Sequence, residues 1–251
     1  KWINPNEGGG AIRAEMLIFT DMGDISFNNC RSIVNTDTNA GGAINARGDV
    51  TFSQVGNISF TNNTLGNDGK QGQALGGALF AWGTVNFKDT GSILFSNNST
   101  GQSPHEDYSN IGGAIHAGAS NSGSENLKDY IPAGEVAVTF QNINGSITFE
   151  GNSAWMAGAI YAYAGTVDGK EGTGGGMKID TVAGDVIFKN NVADSGALVS
   201  AYNGNYGAIY SGQDLTISNV QGDLRFDGNR AANNVGAFGV HPQQHRFHYI
   251  H

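Results

Sequence analysis

The chain has 251 residues and a net charge of -9, a balance that excludes a surface built for nucleic-acid phosphates or anionic lipid headgroups. Its 39 glycines against four prolines point away from collagen and from helical bundles, and with only 14% charged residues order must come from packing rather than from solvated charge. No stretch approaches about 18 consecutive apolar residues, so no segment spans a bilayer as a helix. The sequence opens at Lys1 without Met or a signal-peptide core and reads as an excised or processed piece. Cys30 is the only cysteine, which excludes an intrachain disulfide and leaves redox compartment unread.

Along the chain two elements alternate. Gly9-Gly10-Ala11-Ile12 is followed by LIFTDMGDISFNNC, from Leu17 to Cys30. The pair returns as Gly41-Gly42-Ala43-Ile44 with VTFSQVGNISFTNN, from Val50 to Asn63. It returns again as Gly76-Gly77-Ala78-Leu79 with VNFKDTGSILFSNN (Val85 to Asn98) and as Gly112-Gly113-Ala114-Ile115 with VTFQNINGSITFEGN (Val138 to Asn152). Variant copies hold Ala159-Ile160 with MKIDTVAGDVIFKNN (Met177 to Asn191) and Ala208-Ile209 with LTISNVQGDLRFDGN (Leu215 to Asn229). Gly236-Ala237-Phe238 closes the series. Ser195-Gly196-Ala197-Leu198 competes with Tyr206-Gly207-Ala208-Ile209 for the sixth GGAI place, and the spacing to Leu215 favours the latter. A period of roughly 30 to 50 residues marks a stack of similar units.

Within each copy apolar residues sit two apart, as in Val50/Phe52 and Ile58/Phe60, which is strand periodicity. Between the two strands lies a corner of Gly followed by Asp, Asn or Ser: Gly23-Asp24, Gly56-Asn57, Gly91-Ser92, Gly145-Ser146, Gly184-Asp185 and Gly222-Asp223. That is turn chemistry. With the GGAI strand as the third, the expected fold is all-β: a right-handed parallel β-helix with three short strands per rung. A β-propeller has a similar period but calls for four strands per blade and a Trp-Asp signature. Stacked rungs bring like residues together about 4.8 Å apart, so Phe60, Phe95, Phe149, Phe188 and Phe226 are expected to form an internal column that Phe27 begins. Asn63, Asn98, Asn152, Asn191 and Asn229 form a second column, bonding along the ladder or capping corners. Cys30 takes this place in the first unit as a structural substitution, with a reactive or intermolecular thiol as the alternative.

Domain organisation follows. Residues 1–240 read as one β-helix with polar loops at Thr64 to Leu75 and Ser99 to Ile111 and insertions at about 119–134 and 165–176, at corners where a solenoid tolerates variation. Residues 241–251, with His241, His245, His248 and His251, read as a tail that is disordered or derived from cloning rather than a metal site.

Ile44, Leu79, Ile115, Ile160 and Ile209 should point inward, so Asn45, Phe80, His116, Tyr161 and Tyr210 point outward, with Trp82 and Tyr163 two positions further on. Exposed rings on one face are interface anchors; burial under long loops is the competing reading. A glycan-degrading β-helix would need clustered carboxylates. Asp24, Asp185 and Asp223 are the candidates, yet equivalent corners hold Asn57, Ser92 and Ser146, which make the same turn without acid chemistry. Glu106-Asp107, Asp168 and Glu171 read as solvated charge. Sequons at Asn57, Asn62, Asn97, Asn98 and Asn144 fall out of the repeat consensus. No cofactor or metal is expected.

The paired motifs, GGA[I/L/V] and Phe-x-x-Asn, resemble those of passenger domains of the chlamydial polymorphic membrane proteins, over Gly9 to Phe238. The resemblance implies an autotransporter passenger displayed on the bacterial outer membrane, or secreted after processing, and acting as a non-enzymatic adhesin toward a host-cell surface protein receptor, with self-association as a further partner and no membrane insertion by this part. It assigns the adhesive role to the motifs themselves: Gly41 to Ile44, Gly76 to Leu79, Gly112 to Ile115, and Phe60 through Asn63 with its equivalents. The sequence departs from the pattern where later copies read AGAI, YGAI and VGAF and where Cys30 replaces Asn. A glycan-active enzyme and a structural spacer are the alternatives.

Overall fold

A computed structural model describes residues 9–33, 38–66, 73–101, 110–118, 135–163, 166–167, 170–171, 175–194, 206–232, 236–240 and 247–250. The described residues contain strands and no helix, and the strands stack into a parallel β-helix. The GGAI strands, Ile12–Ala14, Ile44–Ala46, Leu79–Ala81, Ile115–Ala117, Ile160–Ala162, Ile209–Ser211 and Phe238–Val240, make a first sheet in strict register, Ile44 lying between Ile12 and Leu79. The six-residue strands, such as Val50–Val55 and Val85–Thr90, make a second sheet, and the strands ending in the motif Phe, such as Ile58–Thr61 and Ile93–Ser96, make a third. Antiparallel pairing is confined to Thr166–Val167 with Lys170–Glu171 among the described residues.

Two expectations are corrected. Each rung carries a fourth strand immediately after the Phe-x-x-Asn, among them Thr64–Gly66, Ser99–Thr100 and Val192–Ala193. The first three rungs add an outer strand just before the next GGAI, at Thr38–Ala40, Gln73–Leu75 and Asn110–Ile111. The segments Thr64 to Leu75 and Ser99 to Ile111 are therefore strand-bearing, not simple loops. Within the tail, Phe247–Ile250 adds a seventh strand to the second sheet with Phe247 beside Leu215 and Tyr249 beside Ile217, while residues 241–246 and 251 lie outside the described residues. The 119–134 insertion and the Ser195 to Leu198 segment lie outside the described residues. Tyr206 to Ile209 does feed the sixth GGAI strand.

The core is built in columns. Phe27, Phe60, Phe95, Phe149, Phe188 and Phe226 stack face to face at 4.8, 4.7, 4.9, 5.1 and 5.1 Å. A second column, Phe19, Phe52, Phe87 and Phe140, runs beside it at 4.8, 5.0 and 4.9 Å, and the two meet edge to face. Ring pairs of this geometry add about 0.5–1.5 kcal/mol each to the burial gain.

Two side-chain ladders hold the rungs in register. In the first, the backbone N–H and Nδ2 of Asn63 both donate to Oδ1 of Asn98 at 3.0 and 2.9 Å, and Nδ2 also donates to the Phe27 carbonyl of the rung before. The same three bonds recur from Asn98 to Asn152, from Asn152 to Asn191 and from Asn191 to Asn229. Asn63, Asn98, Asn152 and Asn191 are fully buried, so these bonds satisfy groups that could not be left bare. Cys30 starts the column: its backbone N–H donates to Asn63 Oδ1 at 2.9 Å and its side chain packs on the core, where burial raises the thiol pKa. The second ladder runs along the corners, where Asn57 N–H donates to Asp24 Oδ1, Ser92 N–H to Asn57 Oδ1, Ser146 N–H to Ser92 Oγ, Asp185 N–H to Ser146 Oγ and Asp223 N–H to Asp185 Oδ1.

Candidate functional site

The two glycines of the GGAI tetrapeptide meet different demands. Gly41, Gly76 and Gly112 adopt positive φ, between 66 and 70°, which disfavours a Cβ, and a Cβ there would also lie under 3.0 Å from the carbonyl of Ile44, Leu79 or Ile115 three residues on in the same rung. Ala157 fills the equivalent place at 55°, so this local turn can shift to take one. At Gly42, Gly77, Gly113, Gly158 and Gly207 a Cβ would lie under 3.0 Å from the carbonyl oxygen of the matching glycine one rung on. Backbone cannot step aside there, and the second glycine survives in the AGAI, YGAI and VGAF copies that lose the first. Ala43, Ala78, Ala114, Ile44, Leu79 and Ile115 are fully buried in the main core. The motif residues Phe60, Phe95, Phe149 and Phe188 are fully buried as well, Phe226 is half-buried at the last rung, and Asn229 closes the Asn ladder. The fully buried residues among these present no side chain at the surface.

The outward column of the GGAI strands corrects the expectation of exposed rings. Asn45, Phe80, His116, Tyr161 and Tyr210 do stand in register on the outer face, yet their exposures are 1, 1, 5, 8 and 9%. Trp82 is 6% exposed and Tyr163 half-buried. The physical reason is a second, smaller layer. Ala40 and Leu75 of the outer strands pack on Phe80 and Trp82, and Ile111 packs both on that cluster and on the next, where Met156, Tyr163 and Tyr206 surround Tyr161 and Tyr210. The rings continue in contact along the column, Phe80 to His116 at 5.2 Å, His116 to Tyr161 at 5.0 Å and Tyr161 to Tyr210 at 4.6 Å.

His116 sits between the two clusters. Its Nε2 pairs with the Gly118 carbonyl at 3.0 Å, so the carbonyl accepts and Nδ1 carries the lone pair, which is buried without a partner. Burial among uncharged rings lowers its pKa to about 4, so at neutral pH the imidazole is uncharged. Burial likewise pushes the Tyr161 phenol up, helped by neighbouring Tyr210 and Tyr163. The corner acids have structural tasks: Asp24 and Asp185 each spend Oδ1 on an N–H of the next rung.

Compared with known protein families, the chain matches the Chlamydia polymorphic membrane protein repeat at residues 92–118 and 146–163. Both stretches are similar to the repeat of that family. Each matched stretch runs from a Gly-Asx/Ser corner through Phe-x-x-Asn to a GGAI strand, ending at Gly118 in one copy and Tyr163 in the other. The family repeat is thus the third sheet, the Asn ladder and the first sheet taken together. No curated protein and no solved structure matched the chain.

What varies around these repeats is where the chain is long. Connections from second to third sheet and from third to fourth take two or three residues in every rung. Those leaving the first sheet stretch to residues 118–137 and 163–176 in two successive rungs. Connections from fourth sheet back to the first vary as well, up to residues 194–208. All of this variation flanks the GGAI side.

Proposed function

We propose that this protein is a non-enzymatic adhesin displayed on the chlamydial surface, whose partner is a host-cell surface protein. The observation that carries the reading is the placement of long connections at the two corners that flank the GGAI side, while the other corners stay at minimal length. Contact belongs to those connections and to the outer strands, and the GGAI and Phe-x-x-Asn residues act through the surface they build. Self-association along the same side is a further expectation of the reading.

Beads coated with the protein, incubated with epithelial cells, test it. Binding is expected for the intact chain and lost when residues 119–134 are replaced by a three-residue corner like Arg47-Gly48-Asp49, with the circular dichroism of the β-helix unchanged. Equal attachment by that folded variant would remove the 118–137 connection from the contact. Failure of the intact chain to attach at all would favour a spacer.

A further inference from the structure

The rungs differ at one corner in a way that exposes a reactive pair. Corners between second and third sheets hold two residues in the first three rungs, Gly23-Asp24, Gly56-Asn57 and Gly91-Ser92, and three in the next three, Asn144-Gly145-Ser146, Ala183-Gly184-Asp185 and Gln221-Gly222-Asp223. Where like stacks on like, the corner glycine is held: Gly91 N–H donates to Val55 and Gly56 carbonyls at 3.1 and 3.0 Å, Gly184 N–H to Gly145 at 3.0 Å and Gly222 N–H to Gly184 at 3.1 Å. At the step from short to long the register cannot be kept. Asn144 N–H takes the bond to Thr90 at 2.8 Å, Ser146 N–H reaches Ser92 Oγ at 3.3 Å, and Gly145 N–H between them donates to no acceptor among the described residues. Asn144 is exposed, and its side-chain amide makes no hydrogen bond to a described residue.

We infer that Asn144-Gly145 is a site of spontaneous deamidation in the folded protein. The Gly145 nitrogen, once its proton passes to solvent base, attacks Cγ of Asn144; an N–Cγ bond forms and the side-chain nitrogen leaves as ammonia. One water then opens the succinimide to aspartate or isoaspartate. No acceptor holds the Gly145 N–H out of reaction, and glycine offers no Cβ to crowd the ring closure. At several other exposed asparagines the nucleophile or the side-chain amide is held. Asn62, Asn97 and Asn190 each precede a ladder residue whose N–H is bound to the next Asn Oδ1, and Asn29 precedes Cys30, bound the same way. Asn57 has its own amide committed to Asp24 and Ser92. The product adds a negative charge at a corner otherwise occupied by Ser92 and Ser146 and, as isoaspartate, lengthens the main chain there by one carbon.

The folded protein, held at neutral and mildly alkaline pH and mapped by peptide mass spectrometry, tests the inference against a synthetic peptide spanning Gln141 to Phe149. The folded chain is expected to convert Asn144 at a rate close to the peptide's, to mixed aspartate and isoaspartate, rising with hydroxide concentration. Asn62 and Asn97 should lag by at least roughly tenfold, the factor that one withheld hydrogen bond supplies. The variant N144A should lose the signal. A folded-state rate more than roughly tenfold below the peptide's, the same factor read in reverse, would overturn the inference. Asn203-Gly204, the other Asn-Gly pair in the sequence, lies outside the described residues and falls in a different peptide.

Discussion

The two sides of the β-helix are built to opposite rules. On the Phe-x-x-Asn side every rung repeats the same rings and the same amide bonds, and corner lengths differ by no more than one residue, so each residue is fixed by copies of itself above and below. On the GGAI side only the second glycine and the inward Ile or Leu are held that tightly. The outward positions run through Asn45, Phe80, His116, Tyr161 and Tyr210, and the layer over them changes from outer strands to a tyrosine cluster. Repetition gives strength on one side; on the proposed reading, the irregular side is where a partner would be told apart.

The comparison can be broken most sharply at the glycines. Gly113→Ala places a methyl against the Gly158 carbonyl of the next rung and is expected to cost about 3 kcal/mol or more. Gly112→Ala, whose methyl meets the Ile115 carbonyl of its own rung, should cost less, about 1–2 kcal/mol, because the turn at Ala157 has already shifted to take a Cβ in that conformation. Urea unfolding followed by circular dichroism separates the two, and equal costs would erase the distinction between the glycines. Next come the rings. Phe95→Ala should lose roughly 3–5 kcal/mol, and Phe80→Ser a loss at the low end of that range. A Phe80→Ser protein as stable as the parent would mean that the outer layer contributes nothing.

His116 supplies a pH test of the irregular side. The unfolded imidazole takes a proton near 6.5 and the folded one only near 4, so the unfolded state binds more protons between those values and stability falls as pH falls from 6.5 to 4. The total is about 3 kcal/mol, levelling off below pH 4. His116→Phe should flatten that slope in thermal melts taken across the window; an unchanged slope would place the acid sensitivity elsewhere. The smallest effect is expected on the regular side, where Asp185→Asn should change stability by under about 0.5 kcal/mol, since Asn57 already accepts the next rung's N–H in the same way. A large loss there, or loss of any glycan turnover, would revive the acid reading.

The columns were legible because stacking writes the same letter at the same place in each repeat. Phe60 to Phe226 and Asn63 to Asn229 could be read as internal columns, and Gly-Asp, Gly-Asn and Gly-Ser as interchangeable corners. The fourth strand was not legible. Ser99-Thr100 or Val192-Ala193 is too short for alternation to register, and its place after a ladder Asn looks like the start of a loop. The outer strands hid for a related reason: Gln73-Ala74-Leu75 and Asn110-Ile111 carry two apolar residues and one, enough to cover Phe80 and Trp82 but not enough to announce a sheet. The period-two pattern of Phe247 and Tyr249 was masked by the histidines around it.

The ladders point in opposite directions along the axis. In the Asn column the accepting oxygen belongs to the later rung, as Asn98 does for Asn63; in the corner column it belongs to the earlier one, as Asp24 does for Asn57. Any whole rung therefore presents the same complementary pair of faces as its neighbours. One unit can be deleted or duplicated without leaving a mismatched bond inside, provided the cut falls at equivalent positions and short corners stay with short ones. Length in whole repeats is free to vary, while the loss of a single residue is not.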